Sequence, residues 1–378
     1  MRDRRWLRWL LCGLCFLIGV ASVGLVAPAI VAQTAPTLET VAELSSGPGN
    51  ITVTPTGRIL LSLHQFYAPS VRVAELASDN KLMPFPNAEW NQAGRREASL
   101  DAVLGIQSDP NSIVWMLDNG MRGSSIPKLV GWDWATHLKQ MAQVIQLPQP
   151  ITAADSFVND LAVDATHNAI YIADPAGGKN AALIVVNSAT GTARRVLQGH
   201  TSVIPENVDL VIDNVPVQIR QPNGSVVRPR IGVNPIALDR RNEWLYYGPM
   251  HGTSLYRIRT ADLRNPDLSD ADLARRVQRY SAKPICDGIS IDNDGNIYLG
   301  DLATNSIGVI TSRRRYQTLI KDARLSWVDA FSFGPDGLLY TVVNQLHRTS
   351  TLNGGENRSQ PPYYVFRFKP LAAGVAGR

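Results

Sequence analysis

Asp287 and Asp329 each stand five residues ahead of a tight polar turn, centred on Asp292 and Gly334, and Asn159 and Asn234 stand the same distance ahead of Asp164 and Asp239. Side chains at equal offsets in equivalent strands point the same way at the same height, because pleat direction repeats every two residues. Two carboxylates and two amides gathered like this can hold an amine, a cation or the polar edge of a ligand. Carboxylates brought close also separate their pKa values and can supply acid–base chemistry. Asp160, directly after Asn159, adds a third carboxylate, and Asn50 opens a comparable segment. Gly49 and Val103 occupy the two remaining positions at this offset, so the ring is asymmetric and suits an off-axis ligand better than a centred metal. Asp and Asn also cap strand ends by bonding local backbone, which is the alternative role for the whole set.

Other reactive residues are few. His251, after the apolar run that ends at Met250, is the histidine placed most readily at the ligand-facing end. Asp118 and Asn119 precede Gly120 and read as turn formers. Cys12 and Cys15 fall in an N-terminal apolar run, which leaves Cys286 alone, without a disulfide partner and with the character of a buried, inert thiol. The chain has no HExxH, no glycine-rich phosphate loop and no GxSxG elbow. Zinc proteolysis, nucleotide hydrolysis and α/β-hydrolase chemistry are therefore disfavoured.

The elements that must position these residues repeat. A short alternating strand, a turn of Asp, Asn or Gly, and a second strand rich in Ile, Tyr, Leu and Val recur from Ile51, Leu104, Asn159, Asn234, Asp287 and Asp329. Alternation broken by a tight polar turn is a β-hairpin signature. The unit returns about every 56 residues, so six units account for the chain after its leader. A hairpin cannot bury both faces, but four-stranded sheets packed around an axis can, and the expected fold is all-β, a six-bladed β-propeller over residues 33–378. The longest spacing holds an insertion at about residues 200–230, with a hairpin signal at Asn223-Gly224. The shortest leaves ring closure to the terminal strands, Leu38–Leu44 and Tyr363–Lys369.

The first 32 residues pose a targeting question. Arg2, Arg4, Arg5 and Arg8 precede an apolar run from Trp9 to Ala32 with small residues near its end, as in a secretory signal. The run is long enough to serve instead as an uncleaved anchor, and Arg4-Arg5 invites a twin-arginine reading. Three of the five net positive charges sit in this leader, so the overall basicity is no argument for nucleic acid. The expectation is a secreted or periplasmic monomer, without nucleic acid and without stable membrane association once the signal is removed.

Further segments are Trp115-Met-Leu-Asp-Asn-Gly, Asp160-Leu-Ala-Val-Asp, Ala169-Ile-Tyr-Ile-Ala-Asp-Pro, Leu245-Tyr-Tyr-Gly-Pro-Met with the following Leu255-Tyr-Arg-Ile-Arg, Trp327-Val-Asp, and Val343-Asn-Gln-Leu. In this order they resemble the major royal jelly protein/yellow family. The resemblance runs over about residues 40–369 in the family's order. Ala193 stands where the family has a tryptophan, and the paired cysteines of insect members are missing, so the chain looks like a distant, bacterial-type relative. The resemblance implies a propeller that holds a small, aromatic or amine-bearing molecule at the channel mouth, with Asn344 near the ligand pocket.

The candidate ligand set is thus Asn159, Asp160, Asn234, Asp287, Asp329, Asn344 and His251. Enzymatic alternatives are a dopachrome-type isomerase, as the yellow family implies, or a lactonase-like hydrolase using Ca²⁺. A calcium site of that kind normally includes a Glu, and none stands in this register. No cofactor and no metal ligand is therefore assigned, with Ca²⁺ the one ion kept open.

Overall fold

A computed structural model of the chain describes residues 36–92, 99–134 and 141–378. The leader, residues 1–32, lies outside the described residues. Among those described, no helix is long and apolar enough to cross a membrane.

Six four-stranded antiparallel sheets form the blades of a β-propeller. Blade 1 runs Pro48–Val53, Ile59–Leu63, Val73–Leu76 and Leu82–Pro84, and blade 2 runs Val103–Ser108, Ile113–Asp118, Lys128–Asp133 and Met141–Gln146. Blade 3 comprises Asp160–Asp164, Ala169–Asp174, Ala182–Asn187 and Ala193–Val196. Blade 4 comprises Val233–Leu238, Trp244–Pro249, Ser254–Arg259 and Gln278–Ala282, and blade 5 Ile289–Ile291, Ile297–Asp301, Ser306–Ile310 and Tyr316–Lys321. Blade 6 takes Val328–Phe333, Leu339–Val343 and Tyr363–Phe368 from the end of the chain and its outer strand, Glu39–Leu44, from the beginning. The ring closes through the pairing of Glu39–Leu44 with Tyr363–Phe368, the two terminal segments whose alternation marked them for it.

The strands form because β-branched and aromatic residues stand on both faces, and both faces find a partner. Ala169–Asp174, with its Ile-Tyr-Ile centre, is buried along its whole length. Six apolar clusters result, each shared by two neighbouring blades. Tyr171 and Tyr247 both belong to the cluster between blades 3 and 4, and Tyr298 meets Phe333 between blades 5 and 6 with ring centres 6.1 Å apart. A seventh cluster lies apart from these. Leu210, Ile212 and Val217 of the inserted segment join Met250, Trp327 and Leu346 from blade loops. The insertion carries two short hairpins, Val211–Ile212 with Val215–Pro216 and Ile219–Arg220 with Val226–Val227.

The inner strands surround a channel of only about 40 Å³. Asn50 and Asp160 line it together with Gly377 and Arg378. The terminal segment is held by backbone: Phe333 N–H donates to Arg378 O (2.6 Å), Gly377 N–H to Phe333 O (2.9 Å) and Asn293 N–H to Ala373 O (2.8 Å).

Candidate functional site

Inner strands enter the sheet irregularly at the site. Register shifts fall at Gly49 between Pro48 and Asn50, at Asn234 between Val233 and Ile236, and at Asp329 between Val328 and Ala330. A bulge of this kind bends the strand and re-aims a side chain. Adjacent blades are stitched there: Gly105 N–H donates to Asn159 O (2.8 Å) and Gly288 N–H to Asp329 O (2.7 Å). A Cβ at Gly288 would overlap the Asp329 carbonyl, so this close approach requires glycine.

Asn159, Asn234, Asp287 and Asp329 all line one cavity of about 500 Å³. The equal offset read in the sequence therefore corresponds to one shared location. Asp160 lines the narrow channel instead. Its Oδ1 accepts from Asn50 Nδ2 (3.1 Å) and Leu161 N (2.9 Å). Asn344 is fully buried and does not line the cavity. It braces the cavity from behind, donating through Nδ2 to Asp329 Oδ2 and to Pro48 O (2.9 Å) while accepting from Leu346 N at 3.1 Å. His251 is a correction. It is only 1% exposed and does not line the cavity. Met250 lines the cavity, whereas His251, in the bend after the strand, accepts through Nδ1 from Ile231 N (3.3 Å). Burial lowers the His251 pKa to about 4, so its ring is neutral. Asp118 acts as the turn former expected of it, accepting from Asp101 N (2.7 Å), Ala102 N (3.0 Å) and Gly120 N (3.0 Å).

Two side-chain donors from neighbouring segments hold Asp287. Trp327 Nε1 donates to its Oδ2 (2.7 Å) and Asn234 Nδ2 to its Oδ1. Trp327 makes that bond from a left-handed backbone, φ 67°, rare for a bulky residue and a mark of local strain. Its indole stacks on His347 with ring centres 5.9 Å apart. Burial is the main cause that raises the pKa of Asp287 to about 7, against the two donated hydrogen bonds. Burial likewise raises Asp160 to about 7, with the charge of Asp287 adding to it. Asp329 is pushed well above the carboxylate range, by burial first and then by Asp287.

Both oxygens of Asp287 thus face N–H donors. Among the described residues no group of three His, Cys, Asp or Glu side chains is placed to hold a metal ion. The indole and amide N–H donors at Asp287 suit a protonated acid or a carboxylate that meets a hydrogen-bond donor.

The raised pKa values carry a pH signature. The fold binds these protons more tightly than the unfolded chain, so the stability they contribute is full below about pH 4 and is lost as pH rises through about 7. The melting temperature is expected to fall between about pH 5 and about pH 8, with a smaller fall in Asp287→Asn. Thermal melts across that range check this; identical slopes for the two proteins would remove Asp287 from the account.

The cavity wall was not legible in the sequence. Phe66 and Phe157 come from loops between strands, and Leu346 follows the Asn344 brace. Trp327 stood within a matched segment, where its spacing before Asp329 gave no sign of the indole bond to Asp287 in the next blade.

The major royal jelly protein family model matches residues 102–349. Major royal jelly protein 1 of Apis mellifera is 25% identical over 248 residues, covering 62% of this chain and 54% of that protein. Major royal jelly protein 3 of the same organism is 21% identical, again over 62% of this chain and over 42% of its own length. The chain thus spans about half the length of these curated relatives. Among solved structures, a luciferin-regenerating enzyme superposes with a TM-score of 0.55 at 12% identity, over 90% of this chain and 98% of that one. A gluconolactonase of Xanthomonas campestris gives 0.53 at 12% identity, over 89% and 90%. At such identities these two share the fold alone. The match of the family model over most of the propeller settles the kinship: the chain belongs to the major royal jelly protein family.

Proposed function

We propose that this protein is an exported binding propeller that holds a small aromatic, amine-bearing molecule at the mouth of its channel. The supporting observation is a cavity of about 500 Å³ with Phe66, Phe157 and Trp327 in its walls above Asp287 and Asp329. That size and mixture, apolar walls with a few convergent polar groups, belong to small-molecule sites. Rings pack against the aromatic walls, and an ammonium meets the carboxylates.

A cationic amine selects the ionised acid, so binding below about pH 7 displaces a proton, and affinity falls as pH drops further. Calorimetry with a panel of aromatic amines is the test. Asp287→Asn and Asp329→Asn should each weaken binding about ten-fold or more, the range for hydrogen bonds to charged groups. Absence of binding to the unmodified protein sinks the proposal.

One observation favours a second, enzymatic reading. A carboxyl group titrating near 7 beside a ligand cavity is poised for proton transfer, as a dopachrome-type isomerase requires. Rearrangement of an oxidised catechol faster than in buffer, and lost in Asp287→Asn, would establish it; an unchanged rate with wild type would dismiss it. Export rests on the leader, and N-terminal sequencing of protein recovered outside the cytoplasm should begin near Ala32.

A further inference from the structure

Arg122 is a cation lining the cavity for which the described residues supply no acid. Its guanidinium lies over the Phe157 ring at 4.3 Å and the Phe66 ring at 5.6 Å, and no ion pair or hydrogen bond reaches it among the described residues. The other lining arginines differ: Arg228 and Arg230 both pair with Asp209. Asp155, which also lines the cavity, is occupied by Gly177 N (3.0 Å) and Asn180 Nδ2 (3.0 Å).

The backbone that presents Arg122 is costly. Gly120, Met121, Arg122 and Gly123 are all left-handed, with φ of 65°, 49°, 54° and 93°. Such a run persists only where its surroundings over-determine it. Asp118 Oδ1 fixes its start, and Asn119 Nδ2 ties it to Gln65 Oε1 (2.7 Å), beside His64. His64 lines the cavity as well. Its Nδ1 accepts from Phe66 N (3.1 Å), which places the ring proton of a neutral imidazole on Nε2. An aromatic-clamped guanidinium and a neutral N–H donor therefore belong to the same cavity as the acids.

We propose that Arg122, assisted by His64, is a carboxylate-binding subsite, and that the ligand is an aromatic molecule bearing a carboxylate besides its amine. This rests on the reading of the cavity as an aromatic-amine site and narrows its ligand class. Arginine offers two parallel N–H groups to a carboxylate, and the contacts with the Phe157 and Phe66 rings help to orient that fork.

The test is calorimetry with three probes: tryptamine, tryptophan and indole-3-propionate. The unmodified protein should bind tryptophan about ten-fold or more tighter than tryptamine. Arg122→Gln should remove that preference and weaken indole-3-propionate equally, while tryptamine changes less than about two-fold. Arg122→Lys should retain part of the preference, since it keeps the charge and loses the fork. Asp329→Asn should weaken the two amines and spare indole-3-propionate. Equal affinity of the unmodified protein for tryptophan and tryptamine overturns the subsite, as does an Arg122→Gln variant that shifts all three probes alike. Binding of indole-3-propionate without tryptamine overturns the amine reading and keeps the subsite; binding of none overturns both.

Discussion

Trp327→Ala is expected to destabilise the protein by about 3–5 kcal/mol, the cost of truncating a large buried aromatic side chain. Trp327 is 1% exposed and packs with Met250 and Leu346 beneath the inserted hairpins. Alanine empties that volume and leaves Asp287 Oδ2 without its indole donor. It also inherits the left-handed backbone without the stacking on His347 that accompanies it. Trp327→Phe separates the two effects. It keeps most of the packing but removes a hydrogen bond that lowers the Asp287 pKa, so Asp287 should hold its proton to higher pH. Denaturant unfolding measures the first effect, and the pH dependence of the melt measures the second. A Trp327→Phe protein with an unaltered pH profile would show that the indole N–H matters little.

Removing residues 371–378 should lower the melting temperature by several degrees. The segment contributes the Phe333–Arg378, Gly377–Phe333 and Asn293–Ala373 backbone bonds, and Leu371 N–H donates to Tyr298 Oη (2.7 Å). At about 1 kcal/mol each, four such bonds amount to about 4 kcal/mol. Arg378 adds bonds to Val163 O (3.1 Å) and Asp239 O (3.3 Å), and its charge faces Asp109, Asp164 and Asp239. Those carboxylates belong to the turns of blades 2, 3 and 4, so one side chain ties three blades together. Differential scanning calorimetry of the shortened chain decides it, and an unchanged melt would show that the segment merely fills space.

Repetition made the architecture legible. Alternating strands broken by Asp, Asn or Gly turns leave few folds able to bury both faces, and the terminal strands kept the same alternation. The equal offset also led Asn159, Asn234, Asp287 and Asp329 to one cavity, although bulges at Asn234 and Asp329 intervene. His251 stands beyond the end of the Trp244–Pro249 strand, in a bend where alternation no longer tells direction, and Met250 lines the cavity in its place. Phe66, Phe157 and Arg122 stand on loops, where no periodicity tells direction, and their convergence depends on which blades become neighbours. The left-handed run around Arg122 has only Gly120 and Gly123 as its trace in the sequence.

The narrow channel has a kinetic consequence. The space of about 40 Å³ on the axis, with Arg378 along it, is smaller than an aromatic ring. A molecule bound in the cavity, whose walls include Ile219 and Val227 of the inserted hairpin, would therefore leave by the way it came. Traffic through such a one-door chamber is exchange, with each occupant departing before its successor enters. On the proposed binding function, residence time would depend on how firmly the cavity walls hold the occupant, and a change at Ile219 or Val227 could alter it without touching the acids.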